Sequence, residues 1–216
     1  MERRVDALSE ERIVAAAVEI LDTEGEGALT FRALAARLAT GSGAIYWHVA
    51  NKSDLLAAAT DVVIAQVMTG LVGGTQPREA IRAIALGLFE TIDARPWVGA
   101  QLAREPLRSP MLRIFESVGQ RLQALGVPDR SLFNAASALV TYILGAAGQN
   151  AANARRYPAG TDRTALLSTV GAGWTALDPK EYPFVRQIAA QLPEHDDREQ
   201  FLAGIDIILA GIGTLE

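Results

Sequence analysis

The chain has 216 residues, half of them hydrophobic, with 25 acidic against 20 basic side chains and a net charge of -5. That acidic balance excludes a protein that coats nucleic acid non-specifically, because such binding rests on summed positive charge. With no cysteine and two histidines, His48 and His195, disulfides and thiolate metal sites are excluded. The ligands for a histidine-built metal centre are too few, so no metal or other cofactor is expected.

Alanine is abundant and β-branched runs are scarce, so an all-α fold of one or two domains is expected. Met1 to Asp6 is charged and has no apolar stretch, so no secretory leader is expected and the chain is placed in the cytoplasm. Ser9 caps a helix to Glu24, with Ile13, Ala17, Ile20 and Leu21 at helical spacing, and Gly25 to Gly27 end it. Thr30 caps a second, short helix with Phe31, Leu34, Ala35 and Leu38 on its inner face. Thr40 to Gly43 make a turn, and Ala44 to Val49 form a helix too short to stand alone.

Tyr46, Trp47 and His48 are consecutive, so at least two of the three rings lie near the surface. Asn51, with Asp54 three residues on, caps a long helix to about Leu71. Gly70, Gly73 and Gly74 mark the domain boundary. Helices then follow from Pro77 to Asp93, Trp97 to Arg104, Met111 to Leu125 and Pro128 to Asn153, with Pro106 and Pro110 bracketing a loop. Helices over Asp162 to Trp174 and Glu181 to Gln191 precede a last one carrying Phe201, Leu202, Ile205, Ile208, Leu209 and Ile212.

The uncharged run from Ser131 to Ala154 is long enough to cross a membrane, but Asn134, Thr141, Gln149, Asn150 and Asn153 break it, so it is read as a buried helix and no membrane contact is expected. Both 132–147 and 201–212 are apolar nearly all round, which calls for cover from a partner subunit and predicts a homodimer.

Thr30 to Asp54 stands apart as a basic island: Arg32, Arg37 and Lys52 occur with no acid until Asp54. The run LTFRALAARLATGSGAIYWHVANKSDLL, Leu29 to Leu56, closely resembles the DNA-binding region of the TetR family of bacterial repressors, through Tyr46, Trp47, His48, Val49, Asn51, Lys52, Leu55 and Leu56. Tyr182-Pro183-Phe184 and Phe201 to Asp206 are similar to the C-terminal domain of the tetracycline-repressor branch. The resemblance implies a helix-turn-helix DNA-binding domain over 1–52, a connecting helix over 53–72, and a larger effector-binding and dimerisation domain over 73–216. It implies a ligand-responsive regulator, a repressor released from a palindromic operator on double-stranded DNA by a small molecule. The alternative is a small-molecule-binding or adaptor protein whose helix-turn-helix is vestigial.

In a helix-turn-helix the second helix enters the major groove N-terminus first, where Ser42, Gly43 and Ala44 are small enough for close approach. Ser42 has a hydroxyl for bases or phosphates, and the Ala44 methyl suits a thymine methyl. Tyr46, Trp47 and His48 are expected along the groove. Thr30 and Lys52 stand at helix starts that attract phosphate, and Arg32 is placed for a phosphate or guanine edge, whereas Arg37 is assigned to a solvated face.

Gly41 to Gly43 depart from the usual pattern by carrying little side-chain information, which leaves specificity to Arg32, Ala44 and DNA shape. The candidate effector-lining residues are Phe89, Trp97, Met111, Phe115, Tyr142, Gln149 and Trp174, the last from the partner chain; Arg104 and Glu105 either fix a polar ligand group or face water. The family's tetracycline–magnesium effector is not carried over, because the ligand domain has only His195, and an apolar or weakly polar effector is expected. With no Ser/His/Asp set, paired carboxylates, P-loop or dinucleotide fingerprint, no catalytic site is expected.

Overall fold

The computed structural model describes residues 8–69, 76–105, 108–158 and 160–215. Its elements among these residues are helical: α1 (Glu10–Thr23), α2 (Phe31–Arg37), α3 (Ser42–Tyr46), α4 (Lys52–Thr69), α5 (Pro77–Ala94), α6 (Pro96–Arg104), α7 (Ser109–Ala124), α8 (Asp129–Ala154), α9 (Arg163–Thr175), α10 (Pro183–Ile188), a 3-10 stretch (Ala189–Glu194) and α11 (Asp197–Ile212). Gly70, Leu71, Gly73 and Gly74, where the boundary was placed, and Pro106 lie outside the described residues, as do Met1 to Asp6.

The caps follow the residue chemistry. The side chains of Ser9, Thr30, Asp162 and Asp196 each accept from a backbone N–H three residues on. Asn51 does the same from the Asp54 amide at 2.9 Å, but the return bond differs from a capping box. The Asp54 carboxylate takes the Asn51 side-chain amide at 2.8 Å rather than the backbone N–H.

α2 leaves through a Schellman motif. Thr40 donates to the Ala35 carbonyl at 2.9 Å and Ala39 to the Ala36 carbonyl at 3.3 Å. The left-handed residue of this exit is Ala39, at φ 51, and not one of the glycines expected to make the turn. α3 therefore starts at Ser42, two residues earlier than expected, and its regular part closes at Tyr46. α7 starts at Ser109 and takes Pro110 into its first turn, where the missing N–H costs nothing. The helix expected over Glu181 to Gln191 is split into α10 and the 3-10 stretch, which contains Pro193.

One apolar cluster runs through the molecule. In the head, Ile13, Ile20, Leu34, Ile45 and Leu55 are buried together, and Val63 and Ile64 of α4 continue the cluster towards Ile84, Leu88, Ile114 and Leu139. α8 is the centre of the C-terminal bundle and packs on α5, α6, α7 and α11. By length and composition it is the one described helix that would pass as a membrane span, yet Leu139, Val140, Ile143 and Ala147 are core. Its other face is open: Phe133 is 75% exposed, and on neighbouring α11 Ile207 is 73% exposed. Asp206, the charge that interrupts α11, is turned to α5, where Arg78 and Arg82 hold it.

Candidate nucleic-acid interface and ligand cavities

α3 presents its expected face. Ile45 is buried and anchors the helix, while Tyr46 is 56% and Trp47 90% exposed, and His48 is exposed beside them. Tyr46 is not bare, because its ring stacks on Phe31 at 4.3 Å between centroids. Phe31 is half-buried under that ring rather than in the core where the helical pattern placed it. Gly41 and Gly43 have negative φ, and a Cβ added at either meets nothing within 4 Å. Nothing inside the chain requires glycine at the tip of the head.

Around this tip, Arg32 is exposed and has no hydrogen bond or ion pair among the described residues. Arg37 is not merely solvated; it ties α2 to α1 through Glu24 at 3.1 Å and Glu19 at 3.4 Å. Thr30 uses its hydroxyl as the cap of α2, accepting from Ala33 at 3.0 Å. Lys52 is half-buried and donates one N–H to the Glu26 carbonyl at 2.8 Å, which leaves two of its three donors for another acceptor.

The head is fastened to α6 and α7 by acid–base contacts. Asp22 accepts from Arg95 at 2.9 Å and from the Trp97 indole at 2.8 Å. Glu26 pairs with Arg104 at 2.8 Å, Asp54 with Arg108 at 3.0 Å, and Asp61 with Arg113 at 2.9 Å. Ser53 donates to Glu105, which also holds Arg108 at 2.6 Å. Arg104 and Glu105 thus do not face water alone, and neither lines the three cavities that hold the effector candidates.

The Arg104 hydrogen bond holds the Glu26 carboxyl below its ordinary value of 4.5 against the opposing effect of burial, and the Ser53 hydrogen bond does the same for Glu105. A carboxyl depressed in the folded state stabilises it above that ordinary value and loses the contribution as pH falls through the folded value. In Arg104→Ala, the Glu26 carboxyl is expected to titrate close to the ordinary glutamate value, read by carboxyl NMR; an unchanged midpoint would remove Arg104 as the cause.

The effector candidates do not share one cavity. Met111 and Gln149 wall an apolar groove of about 700 Å³ under α6, with Pro96, Gly99, Ala100, Gly145, Gly148 and Arg155. Phe89, Tyr142 and Gln149 border a smaller polar cavity of about 240 Å³ with Asn150, His195 and Gln200. Trp174 lines a third of about 740 Å³, between the end of α8 and α9. Trp97 and Phe115 line none of these three; Trp97 is engaged with Asp22, and Phe115 packs half-buried on the core. The groove residues that the sequence did not offer, Gly99, Ala100, Gly145 and Gly148, are small and carry no chemical signal. Among the described residues no cluster of three His, Asp or Glu side chains could hold a metal ion.

An exposed helix tip of small residues and rings, joined by α4 to a helical bundle that carries ligand-sized cavities, is the arrangement of a DNA-binding transcriptional regulator. Residues 13–59 match "Bacterial regulatory proteins, tetR family", and residues 74–215 match "Tetracyclin repressor-like, C-terminal domain". The chain belongs to the TetR family. It is 34% identical to an HTH-type transcriptional regulator of Saccharopolyspora erythraea, over 96% of this chain and 85% of that protein. It is 28% identical to the HTH-type transcriptional repressor DrrR1 of Streptomyces coeruleorubidus, over 96% and 78%. Among solved structures it resembles SCO7222, a TetR from Streptomyces coelicolor, at 54% identity and TM-score 0.87, covering 97% of this chain and 99% of that one. It also resembles BioQ bound to its natural double-stranded DNA operator, at 25% identity and TM-score 0.61, covering 96% and 99%.

Proposed function

We propose that the chain acts in the cytoplasm as a homodimeric repressor that leaves a palindromic operator when an apolar small molecule enters the groove under α6. One observation carries this reading: α6 serves both surfaces. Pro96, Gly99, Ala100 and Ala103 line the groove, and the next residues, Arg104 and Glu105, grip the head at Glu26 and Ser53. A ligand that binds better with α6 displaced shifts the population toward the state with that grip altered, and hence with α4 and the recognition helix reoriented.

Met111 and Gln149 are the groove residues assigned to the effector. Ser42, Gly43 and Ala44 at the tip, Tyr46, Trp47 and His48 along the groove, and Thr30, Arg32 and Lys52 at the phosphates form the operator face. The exposed Phe133 and Ile207 side of α8 and α11 supplies the dimer contact that pairs two heads.

The test is fluorescence anisotropy on DNA upstream of the chain's own and adjacent genes. Affinity is expected to fall steeply with salt. Trp47→Ala should weaken binding by about tenfold or more, as loss of a stacked or groove-seated ring does. The melting temperature should stay within about 1 °C, because a side chain this exposed holds nothing in place. Binding that is absent or insensitive to salt on every such fragment rules out the repressor.

A further inference from the structure

We propose that Glu26, in the turn between α1 and α2, is a positioning residue: its main-chain carbonyl aims the Lys52 ammonium at an operator phosphate, and Arg104 of α6 holds Glu26 in place. The inference rests on the repressor reading above and names the residue through which α6 acts on the operator face.

Glu26 is bound from two sides. Its carbonyl accepts from the Lys52 ammonium at 2.8 Å, and its carboxylate takes Arg104 at 2.8 Å. The same carbonyl also accepts from the Leu29 amide at 3.3 Å, and Leu29 is buried in the core of the head. Gly25, left-handed at φ 81, turns the chain into this segment. The Lys52 charge bears on the Glu26 carboxylate as well, so lysine, glutamate and arginine lie together.

The chemistry of the acceptor matters. Arg37, the neighbouring cation on α2, is held by the carboxylates of Glu19 and Glu24, which offset its charge. Lys52 is held by a neutral carbonyl, which leaves its full charge and two N–H donors for a phosphate. A lysine is a flexible stem carrying a point charge. A donor already fixed on the protein removes ordering that would otherwise be lost on binding DNA.

α6 reaches this lysine twice. Arg104 ends the helix and holds Glu26, and the next residue, Glu105, takes the hydroxyl of Ser53, the neighbour of Lys52 in α4. A shift of α6 therefore moves the ammonium's acceptor and the start of α4 together.

The test is the salt dependence of operator affinity, read by anisotropy on the same DNA fragments. Lys52→Gln should lower the slope of log affinity against log salt by about 0.9 for each head on the DNA. Arg104→Ala should lower the slope as well and weaken binding about fivefold or more, but within about twofold in the Lys52→Gln background, because both changes then remove one contact. Arg104→Lys, which can still pair with Glu26, should restore most of the slope. Arg113→Ala breaks a junction pair of the same kind, with Asp61, that touches no operator residue, and should leave the slope unchanged.

A second readout needs no DNA. The chain has two lysines, Lys52 and Lys180, so lysine labelled with 13C at Cε gives two NMR signals. The two Hε protons of Lys52 should have distinct shifts in the parent, where the stem is fixed, and merge in Arg104→Ala.

Additive losses in the double variant would mean that Arg104 acts on the whole head and not through Lys52. That result, an unchanged slope or Lys52 signal in Arg104→Ala, or a lowered slope in Arg113→Ala would each overturn the proposal. A parent chain that fails to bind overturns the repressor reading and this inference with it. A parent that binds with steep salt dependence, beside an Arg104→Ala chain that keeps it, overturns this inference alone.

Discussion

Gly43→Glu is expected to weaken operator binding by about 100-fold or more while leaving the head as stable as before or slightly more so. The two effects have opposite signs because they arise from different neighbours. Inside the chain, Gly43 is the second residue of α3, at ordinary helical backbone, and an added Cβ meets nothing within 4 Å. Replacing glycine there recovers about 0.5–1 kcal/mol of backbone entropy. A carboxylate in a first helical turn adds about 0.3–1 kcal/mol through the helix dipole. Against DNA, the same carboxylate enters a groove lined by phosphates, where it has no partner and holds the helix away from the bases. Anisotropy on the operator and a thermal melt read the two sides separately. Retained affinity would mean that the tip of α3 does not enter the groove, and a lowered melting temperature would mean that glycine is structural there.

That separation depends on something the sequence concealed. The sequence assigns the turn to Thr40 to Gly43. The left-handed residue is Ala39, which no composition rule marks, and Gly41 and Gly43 are free of structural duty. The helices with a sustained apolar stripe, α1, α5, α7 and α8, were legible from spacing and caps. α3 was legible as a short helix but not in its bounds, because five residues hold no period and its course is set by Ile45 seated in the core. The exposure of Tyr46, Trp47 and His48 was legible because three large rings in sequence cannot all be inside.

Most residues of the groove under α6 were not legible, for two physical reasons. Holes are made by what side chains lack, as at Gly99, Gly145 and Gly148. A large ring such as Trp97 satisfies a ligand-lining pattern and a packing role equally well. Its indole reaches Asp22, 75 residues away, and no local pattern encodes that bond. The same holds for Arg104 and Glu105, whose partners Glu26 and Ser53 lie 78 and 52 residues back.

The head therefore depends for its orientation on long-range ion pairs that are individually weak. Each is partly exposed, and surface pairs contribute little singly. Acting across one junction they fix an angle more than they add stability, which is what a device reset by a ligand requires. Within the bundle the opposite logic applies, and α8 meets α11 through tight contact.

Gly204→Ala is expected to destabilise the fold by about 1–3 kcal/mol, the usual cost of an extra methyl in a packed core. An alanine Cβ at this position of α11 would overlap the Tyr142 hydroxyl and its ring carbon on α8. Tyr142 has little room to yield. Its hydroxyl donates to the Phe201 carbonyl at 3.2 Å, its ring stacks on Phe201 at 5.7 Å, and Phe201 stacks on Phe89 at 4.5 Å.

Moving the phenol gives up that hydrogen bond and disturbs rings on three helices, α5, α8 and α11. The open faces bearing Phe133 and Ile207 lie on two of them, so the dimer should loosen as well, seen as a melting temperature that depends more strongly on concentration. Tyr142→Ala makes the decisive comparison. If the clash is the cause, removing the ring costs at least about 1 kcal/mol less in the Gly204→Ala background than in the parent, because the two residues share one space. Strict additivity of the two losses would show that α11 shifts bodily to make room and that Tyr142 does not set its distance from α8.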